Sequence, residues 1–190
     1  MKSLPINKAD PQREKEQILK AQANPAEFEP LYHIHYPRVL GFIYNRVSDL
    51  ETAYDLASQT FVQVLQALPK YVVTGAPFSF WIIRIAKSVL AKYYQTSGKQ
   101  ISVAITDEAL QKMEDDPEFS TEIRFEAISL VLQTLGINDL ELIQLRFFES
   151  YSFKEIALIL KISENNAKVK TFRVIEKIKK LLKKSDHETL

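Results

Sequence analysis

The sequence predicts an all-α protein with two small helical domains joined by a flexible linker, the second domain being a helix-turn-helix. Helix-favouring Leu, Ile, Ala, Lys, Glu and Gln are common, whereas the 190 residues include only four glycines and eight prolines. Apolar residues recur along most of the chain at the three- and four-residue spacing of a helix face. Acids and Pro117 interrupt this pattern over residues 96–119, so we expect a linker there and domains at 1–95 and 120–190.

The composition excludes several classes of protein. The chain has no cysteine, which rules out a disulfide framework, a thiolate metal site and a cysteine nucleophile. The scarcity of glycine argues against a glycine-rich nucleotide cradle. No stretch approaches the roughly 18 consecutive apolar residues of a membrane helix, and the charged N-terminal segment lacks the apolar core of a secretory signal. We therefore expect a cytoplasmic protein without membrane insertion, cofactor or metal.

The charge is divided into blocks, although the formal net charge is only +1. Residues 56–106 contain five bases and no acid, residues 107–126 carry a net charge of −6, and residues 164–184 carry +6. A single basic block is often no more than a solvated helix face. Two basic blocks on one chain favour a polyanionic partner such as a nucleic acid.

Four helices are expected in the first domain. The first is polar and covers Asp10 to about Gln22. Asn24 is the expected cap of the second helix, with Pro25 at its first position, and Pro37 is expected to kink or break that helix. There follow a third helix capped by Asp49, a loop from Pro69 to Pro77, a fourth helix from Phe78 to about Tyr94 and, inside the linker, one candidate strand at Ile101–Ile105.

Four helices are also expected in the second domain. They cover, in order, about Ser120–Leu135, Asn138–Glu149 with Asn138 as its cap, a short helix that ends near Leu160, and a basic helix to about Lys184. Ser152 and Glu155 form a capping box at the start of the short helix. Lys161 then turns the chain, where a glycine is usual, and Ser163 caps the basic helix. These last two helices and their short turn have the spacing of a helix-turn-helix.

The basic helix after Ser163 carries residue types that read duplex DNA. Asn hydrogen-bonds adenine, and Arg or Lys reaches guanine or phosphate. The free amides at the N-terminus of the helix also favour a phosphate. The residues that it presents are Asn165, Asn166, Lys168, Lys170, Thr171 and Arg173. The pattern by itself leaves open an ordinary helical hairpin with a solvated lysine-rich face.

A run of aromatic and basic residues without acids follows Pro77. Aromatic rings that stack on unpaired bases, beside cations that follow the backbone, are what single-stranded nucleic acid requires. Trp81 can serve both the core and a ligand if it lies at the rim, and Arg84, Lys87 and Lys92 lie on or near one helical face. Several apolar side chains of the run are equally expected to form core.

Several motifs of the chain resemble those of one family. The segment Asp55–Val62, Asp-Leu-Ala-Ser-Gln-Thr-Phe-Val, resembles the core-polymerase-binding signature of the bacterial extracytoplasmic-function (ECF) RNA polymerase sigma factors, the two-domain minimal form of the sigma-70 family. The segment 78–93 resembles the promoter −10 helix of that family. Three further segments resemble the −35-binding domain of the family, namely residues 142–149, 152–157 and 162–173. The motifs stand in the family's order, and the resemblance extends over residues 20–95 and 123–183.

The resemblance implies a sigma factor that binds the β′ and β subunits of core RNA polymerase and directs promoter-specific transcription initiation. It implies recognition of −10 and −35 promoter elements, assistance in strand opening, and an anti-sigma factor as a further partner. The implied polymerase contacts are Asp55, Leu56, Gln59 and Phe61. The implied −10 contacts are Tyr71, Thr74, Trp81, Arg84, Lys87, Ser88, Lys92 and Tyr93. The implied −35 contacts are Ser163, Asn165, Asn166, Lys168, Lys170, Thr171, Arg173 and Lys177.

Several residues depart from the family's usual pattern, among them Ala167 and Phe172 on the −35 helix. Ser58 and Gln59 stand where Gln and Glu are usual, which removes a charge from the surface that faces polymerase. Ser88 and Lys92 stand where Asn and Asp are common on the −10 helix, so strand opening or sequence preference is expected to differ.

Three other readings of the sequence are weighed against a sigma factor. The first is a stand-alone helix-turn-helix regulator whose N-terminal half senses a signal or dimerises. The second is a sigma-like antagonist or adaptor that has lost promoter melting, for which the departures at Ser58, Ser88 and Lys92 are the only indication. The third is an enzyme, but His33 and His35 are the only internal histidines, and their spacing places them on different sides of a helix without an acidic motif beside them.

Overall fold

The structure, a computed structural model, describes residues 11–47, 49–74, 76–98, 107–115 and 125–188, and every regular element in these ranges is helical. The predicted all-α fold is thereby confirmed. The chain divides into two compact units, Met1–Gln100 and Ile101–Leu190. The candidate strand at Ile101–Ile105 lies outside the described residues. None of the helices in the described ranges combines the length and the apolar character that a membrane span requires.

Within the part of the chain that the structure describes, the first unit contains four α-helices. They are α1 (Pro11–Ala23), α2 (Glu29–Val47), α3 (Leu50–Ala67) and α4 (Phe78–Ser97), with short 3-10 turns at Pro25–Phe28 and Leu68–Lys70. Helices α2, α3 and α4 pack on one another around buried side chains such as Phe42, Val64 and Ile83. Helix α1 packs against α2 and the two 3-10 turns through the buried Ile18 and Ala21.

The predicted caps of the first unit are confirmed. The side chain of Asn24 accepts a hydrogen bond from the Ala26 N–H at 3.1 Å, and that of Asp49 accepts one from the Thr52 N–H at 2.8 Å. Of the two alternatives predicted for Pro37, a kink or a break of the helix, the break is wrong, because α2 continues past Pro37 to Val47. A proline costs a helix one hydrogen bond and some steric strain, and the buried face of α2 offsets that cost.

The far end of α4 is anchored to α2. The hydroxyl of Tyr94 donates a hydrogen bond to the carbonyl oxygen of Arg46 in the last turn of α2. Burial raises the pKa of the Tyr94 hydroxyl to about 12, so it remains a neutral donor at physiological pH. The same Arg46 guanidinium is buried over the Phe42 ring, 3.5 Å from its centroid. The hydrogen bond of Tyr94 therefore fixes the C-terminal half of α4 on α2.

Five α-helices are found in the described residues of the second unit. They are α5 (Asp107–Glu114), α6 (Phe125–Gln133), α7 (Ile137–Ile143), α8 (Phe153–Leu160) and α9 (Glu164–Glu188), and α7 continues into a π-helical turn at Gln144–Phe148. Helix α5 lies within the range predicted as a linker. It packs on the π-helical turn, and its Ala109 and Met113 side chains are buried. The predicted cap Asn138 is wrong, because α7 begins one residue earlier and its cap position is Gly136, which has no side chain.

Helices α8 and α9 form the predicted helix-turn-helix. Ser152 and Glu155 make the capping box in both directions, and the Ser163 hydroxyl accepts from the Asn166 N–H at 3.2 Å. Lys161 closes α8 in the left-handed conformation, with φ 56° and ψ 46°. The Ile162 N–H then reaches back to the carbonyl oxygen of Ala157 at 3.0 Å, as in a Schellman motif. The two helices pack on each other, and Ile156 and Ala157 of α8 and Ala167 of α9 are buried.

Candidate functional site

Helix α3 separates the implied polymerase contacts into two groups. Asp55 and Gln59, four residues apart, are exposed on one face. Leu56 and Phe61, which were also expected to contact polymerase, are only 3% exposed each and belong to the core of the first unit. They lie on the opposite face with Ala57 and Val64, where they hold α3 on the core.

The exposed side of α3 is more apolar than the sequence motif indicates. Three large apolar side chains are exposed on this side by 39–54%, namely Tyr54, Val62 and Leu65. We call these residues, with Asp55 and Gln59, the α3 surface. Exposed apolar side chains grouped on one side of a helix are typical of protein interfaces. The signal in the sequence was a second set of apolar residues at helical spacing, offset from the core set.

The start of α4 holds an aromatic cluster formed by Tyr71, Phe78 and Trp81. The ring centroids of Tyr71 and Trp81 are 4.5 Å apart, and those of Phe78 and Trp81 are 5.2 Å apart with nearly parallel planes. Phe78 is fully buried, whereas Tyr71 and Trp81 are partly exposed. Trp81 therefore lies at the rim of the core, where its outer face is available to a planar ligand.

The solvent face of α4 continues from Trp81 through Arg84 and Ser88 to Lys92, at spacings of three and four residues. Ser88 and Lys92 are exposed, Arg84 is partly exposed, and the Ser88 hydroxyl donates to the Arg84 carbonyl oxygen at 3.2 Å. We call these four residues the α4 surface. The structure thus brings together an aromatic ring and two cations on one acid-free helix face.

The other implied −10 residues lie around this surface. Thr74 is exposed in the loop before α4, and Lys87 is partly exposed on the helix one residue before Ser88. Tyr93 packs its ring against Tyr94, with centroids 5.3 Å apart. Its position on the helix is 140° from Ser88 at 3.6 residues per turn, so it lies to the side of the α4 surface.

Helix α9 presents most of the implied −35 residues to solvent. Those exposed are Ser163, Asn165, Asn166, Lys168, Lys170, Arg173 and Lys177. Thr171 is fully buried, and its hydroxyl donates to the Ala167 carbonyl oxygen at 2.9 Å, so the expectation that it contacts DNA is wrong. Lys177 forms an ion pair with Asp139 of α7 at 2.8 Å, which ties α9 to its own unit.

An aromatic pair supports the start of α9. Phe153 and Phe172 meet edge to face, with centroids 5.8 Å apart. The ammonium of Lys168 lies 5.6 Å from the Phe172 centroid, and the guanidinium of Arg146 lies 4.7 Å from that of Phe153. Cations at these distances from a ring face are attracted by it. Sequence reasoning missed this support, because the residues come from three elements.

The histidines occupy different environments. The side chain of His33 is 70% exposed and pairs with Glu29, while that of His35 is 7% exposed and lies 3.5 Å from Glu14. Among the described residues, no three His, Cys, Asp or Glu side chains gather into a group that could hold a metal ion.

Comparisons with known proteins match both units. A family model described as Sigma-70 region 2 matches residues 31–100, and one described as Sigma-70, region 4 matches residues 125–178. The chain is 29% identical over 183 residues to the ECF RNA polymerase sigma factor BldN of Streptomyces coelicolor, covering 94% of this chain and 69% of the relative. It is 30% identical over 164 residues to the RNA polymerase sigma factor YlaC of Bacillus subtilis, covering 84% and 94%.

Two solved structures share the fold. The structure of CnrH in complex with the cytosolic domain of CnrY has a TM-score of 0.57 at 19% identity, covering 88% of this chain and 96% of the other. The structure of the sigma factor RpoE in complex with the anti-sigma factor NepR from Bartonella quintana has a TM-score of 0.54 at 19% identity, covering 83% and 97%.

Two helical units with basic, partly aromatic surfaces, one of them a helix-turn-helix, define a nucleic-acid-binding protein of the sigma-70 type. The chain belongs to the ECF group of the sigma-70 family, and it is an RNA polymerase sigma factor that directs promoter-specific transcription initiation. A stand-alone helix-turn-helix regulator is not favoured, because the first unit matches sigma region 2.

Proposed function

We propose that this sigma factor performs its function with three separate surfaces. The α3 surface binds core polymerase, the α4 surface binds the unpaired strand of the −10 element, and the exposed residues of α9 enter the major groove of the −35 element. In this scheme the chain acts by binding and not as an enzyme. Core polymerase works in the bacterial cytoplasm, so the proposal assigns the chain to that compartment.

The observation that carries the proposal is the arrangement of Trp81, Arg84 and Lys92 along α4. A partly exposed indole provides a stacking platform for an unpaired base, and cations on the same face follow the phosphates of that strand. Tyr71 and Phe78 support the indole from the inner side. A base taken out of its duplex costs a few kcal/mol, and stacking on such a platform offsets about 1–3 kcal/mol of that cost.

The separation of buried and exposed residues on α3 supports the assignment of the α3 surface to polymerase binding. Leu56 and Phe61 fix the helix, while Asp55 and Gln59 stand beside exposed apolar side chains such as Val62. A carboxylate within an apolar surface favours a partner that presents a cation among apolar residues. We propose that the β′ subunit supplies this partner and that the second unit contacts the β subunit.

The experiment that tests the proposal is run-off transcription with purified core polymerase free of other sigma factors. The template carries the region upstream of the gene for this protein. We expect a discrete product that depends on the chain. We expect this product to be lost in three variants, Asp55→Asn, Trp81→Ala and Lys170→Ala, each for a different reason. Asp55→Asn lowers core association, Trp81→Ala lowers strand opening, and Lys170→Ala lowers promoter affinity.

The control is Glu16→Gln, an exposed carboxylate on α1 outside all three surfaces. It is expected to transcribe like the parent protein. Core association is measured on the same samples by size-exclusion chromatography. Association without a product from any promoter fragment contradicts the initiation role of the α4 surface, whereas no association contradicts the α3 assignment.

We propose an anti-sigma protein as a further partner. CnrH was solved with the cytosolic domain of CnrY, and RpoE with the anti-sigma factor NepR. A partner that covers the α3 surface of this chain competes with core polymerase for it. Competition is tested by adding core polymerase to the preformed complex, and simultaneous binding of both contradicts it.

A further inference from the structure

We propose that Glu14 of α1 is a positioning residue that fixes the start of α4 and, through it, the aromatic cluster of Tyr71, Phe78 and Trp81. This inference rests on the proposed function of the α4 surface. It also assigns a role to α1, which lies before residue 31, where the match to sigma region 2 begins.

The first reason is the local chemistry of the start of α4. A helix leaves its first N–H groups without partners inside the helix, and a side chain at the cap position usually accepts from one of them. The cap position of α4 is Pro77, whose side chain cannot do this. Instead, one carboxylate oxygen of Glu14 accepts from the Phe78 N–H at 3.3 Å, across 64 residues of sequence. A negative charge at this end also suits the helix dipole.

The second reason is that Glu14 is held in place. Its other oxygen lies 3.5 Å from Nε2 of His35 on α2, and the two side chains are only 17% and 7% exposed. The nearby His35 imidazole is the main cause that lowers the pKa of Glu14, and the Phe78 N–H acts in the same direction, against the effect of burial. Glu14 is therefore a partly buried carboxylate of α1 that lies close to groups of both α2 and α4.

The third reason is the short route from Glu14 to Trp81. The ring of His35 meets the ring of Phe78 edge to face at 5.5 Å, and Phe78 stacks on Trp81. Glu14 therefore lies close to Phe78 in two ways, directly at the Phe78 N–H and through the His35 ring that packs on the Phe78 ring. The negative charge of Glu14 also raises the pKa of Tyr71, which burial raises most and which Arg84 lowers.

Helix α1 also holds the other end of the same loop. The side-chain amide of Gln22 donates to the carbonyl oxygens of Leu68 at 2.9 Å and Tyr71 at 2.7 Å. Gln22 lies eight residues after Glu14, close to two helical turns, so both side chains project from the same side of α1. One helix therefore fixes the loop before α4 at its beginning and at its end.

The first arm of the test uses the only tryptophan of the chain as a reporter. Emission and acrylamide quenching of Trp81 are measured on the full chain for Glu14→Ala, Glu14→Gln and the control Glu16→Ala. We expect Glu14→Ala to shift the emission to the red and to increase quenching. Glu14→Gln, which keeps an acceptor for the Phe78 N–H, is expected to fall between the parent protein and Glu14→Ala. Glu16→Ala is expected to match the parent protein.

The second arm uses the holoenzyme with core polymerase. The probe is a labelled single strand carrying the non-template −10 sequence of a promoter that yields a run-off product. We expect Glu14→Ala to weaken binding of this probe about fivefold, the net effect of losing one typical hydrogen bond, with core association unchanged. A general loss of folding would lower both probe binding and core association. The two measurements therefore separate a positioning role from an effect on stability.

The outcomes are distinguishable. Trp81 signals of Glu14→Ala and Glu14→Gln that match the Glu16→Ala control overturn the positioning role. A changed Trp81 signal with unchanged probe binding overturns the assignment of the α4 surface to the −10 strand and leaves only a structural contact. Equal losses of probe binding and of core association in both Glu14 variants overturn the proposal in favour of general destabilisation.

Discussion

Lys168 and Lys170 are exposed in the first turns of α9, the position from which a recognition helix meets DNA. Each phosphate contact that is lost lowers the slope of log affinity against log salt by about one unit. We therefore expect Lys170→Ala to weaken promoter binding by the holoenzyme and to reduce this slope by about one unit. Affinities are measured over a series of KCl concentrations.

The matched control is Lys183→Ala, another exposed lysine of the same helix that lies toward its other end. Its slope is expected to equal that of the parent protein. If Lys168→Ala and Lys170→Ala both leave the slope unchanged, α9 does not meet the DNA in the orientation proposed.

Glu14 gives a prediction about stability and pH. Its pKa is lowered in the folded state from the ordinary value of 4.5. Its contribution to stability is therefore complete above about pH 4.5 and is lost as the pH falls through the lower folded-state value. We expect Glu14→Gln to reduce the free energy of unfolding at pH 7 by about 1 kcal/mol, and this difference to shrink below pH 4.5.

Urea unfolding of both proteins between pH 3 and 7 measures the difference. The Glu16→Gln variant, altered at an exposed carboxylate on the same helix, provides the baseline. A difference between the parent protein and Glu14→Gln that stays constant over this range would show that ionisation of Glu14 does not stabilise the fold.

Single residues also show where sequence reasoning reaches its limit. The motif Asp55–Val62 was identified from the sequence, but Leu56 and Phe61 turned out to belong to the core. A motif mixes residues that fix a helix with residues that face a partner, and only the packing separates them. Thr171, which was expected to contact DNA, is likewise buried. Glu14 was missed because its partner is distant in sequence.

At the scale of elements, helix starts were predictable where a side chain makes a local bond. Asn24, Asp49, Ser152 and Ser163 all cap the elements expected of them. Each such bond spans two or three residues, so the sequence contains all the information needed. Asn138 failed because α7 begins one residue earlier than the pattern indicates.

Two elements depended on packing that the sequence does not display. Helix α2 runs through Pro37 because its buried face, with Val39, Phe42 and Ile43, outweighs one missing hydrogen bond. Helix α5 forms within an acidic stretch because Ala109 and Met113 find a buried position on the second unit. Charge density alone had indicated a linker at that position.

The turn of the helix-turn-helix yields a prediction at this scale. Lys161 is in the left-handed region, which costs an L-residue roughly 1–2 kcal/mol. Glycine avoids this cost but loses about 0.5–1 kcal/mol through its greater freedom in the unfolded chain. Lys161→Gly is therefore expected to raise the free energy of unfolding by about 0.5–1 kcal/mol.

The control for this prediction is Lys161→Ala, which removes the same charge but keeps a side chain in the left-handed conformation. It is expected to bring no gain in the midpoint of urea unfolding. Equal stability of the glycine and alanine variants would mean that the left-handed conformation of this residue carries no cost in the folded protein.

At the scale of the whole molecule, the charge blocks correspond to different units. The acid-free block from residue 56 contains the α4 surface of the first unit, and the basic block from residue 164 forms most of α9 in the second. This correspondence explains why a net charge of +1 is compatible with nucleic-acid binding. A polyanion responds to the local field of each surface and not to the sum over the chain.

The separation into units also predicts that polymerase binding and −35 binding vary independently. Asp55 lies on α3 in the first unit and Lys170 on α9 in the second. Asp55→Asn is expected to lower affinity for core polymerase and to leave the promoter affinity of the assembled holoenzyme unchanged. Lys170→Ala is expected to do the reverse. Changes at independent sites add to within about 0.5 kcal/mol.

The double variant measures this independence. Transcription at limiting core polymerase is expected to fall by the product of the two single effects, because each change acts on a different step of assembly. A loss smaller or larger than that product by about fivefold corresponds to a coupling of about 1 kcal/mol. Such a coupling would show that the polymerase contact of the first unit alters how the second unit meets the promoter, and the two surfaces would then have to be treated as one.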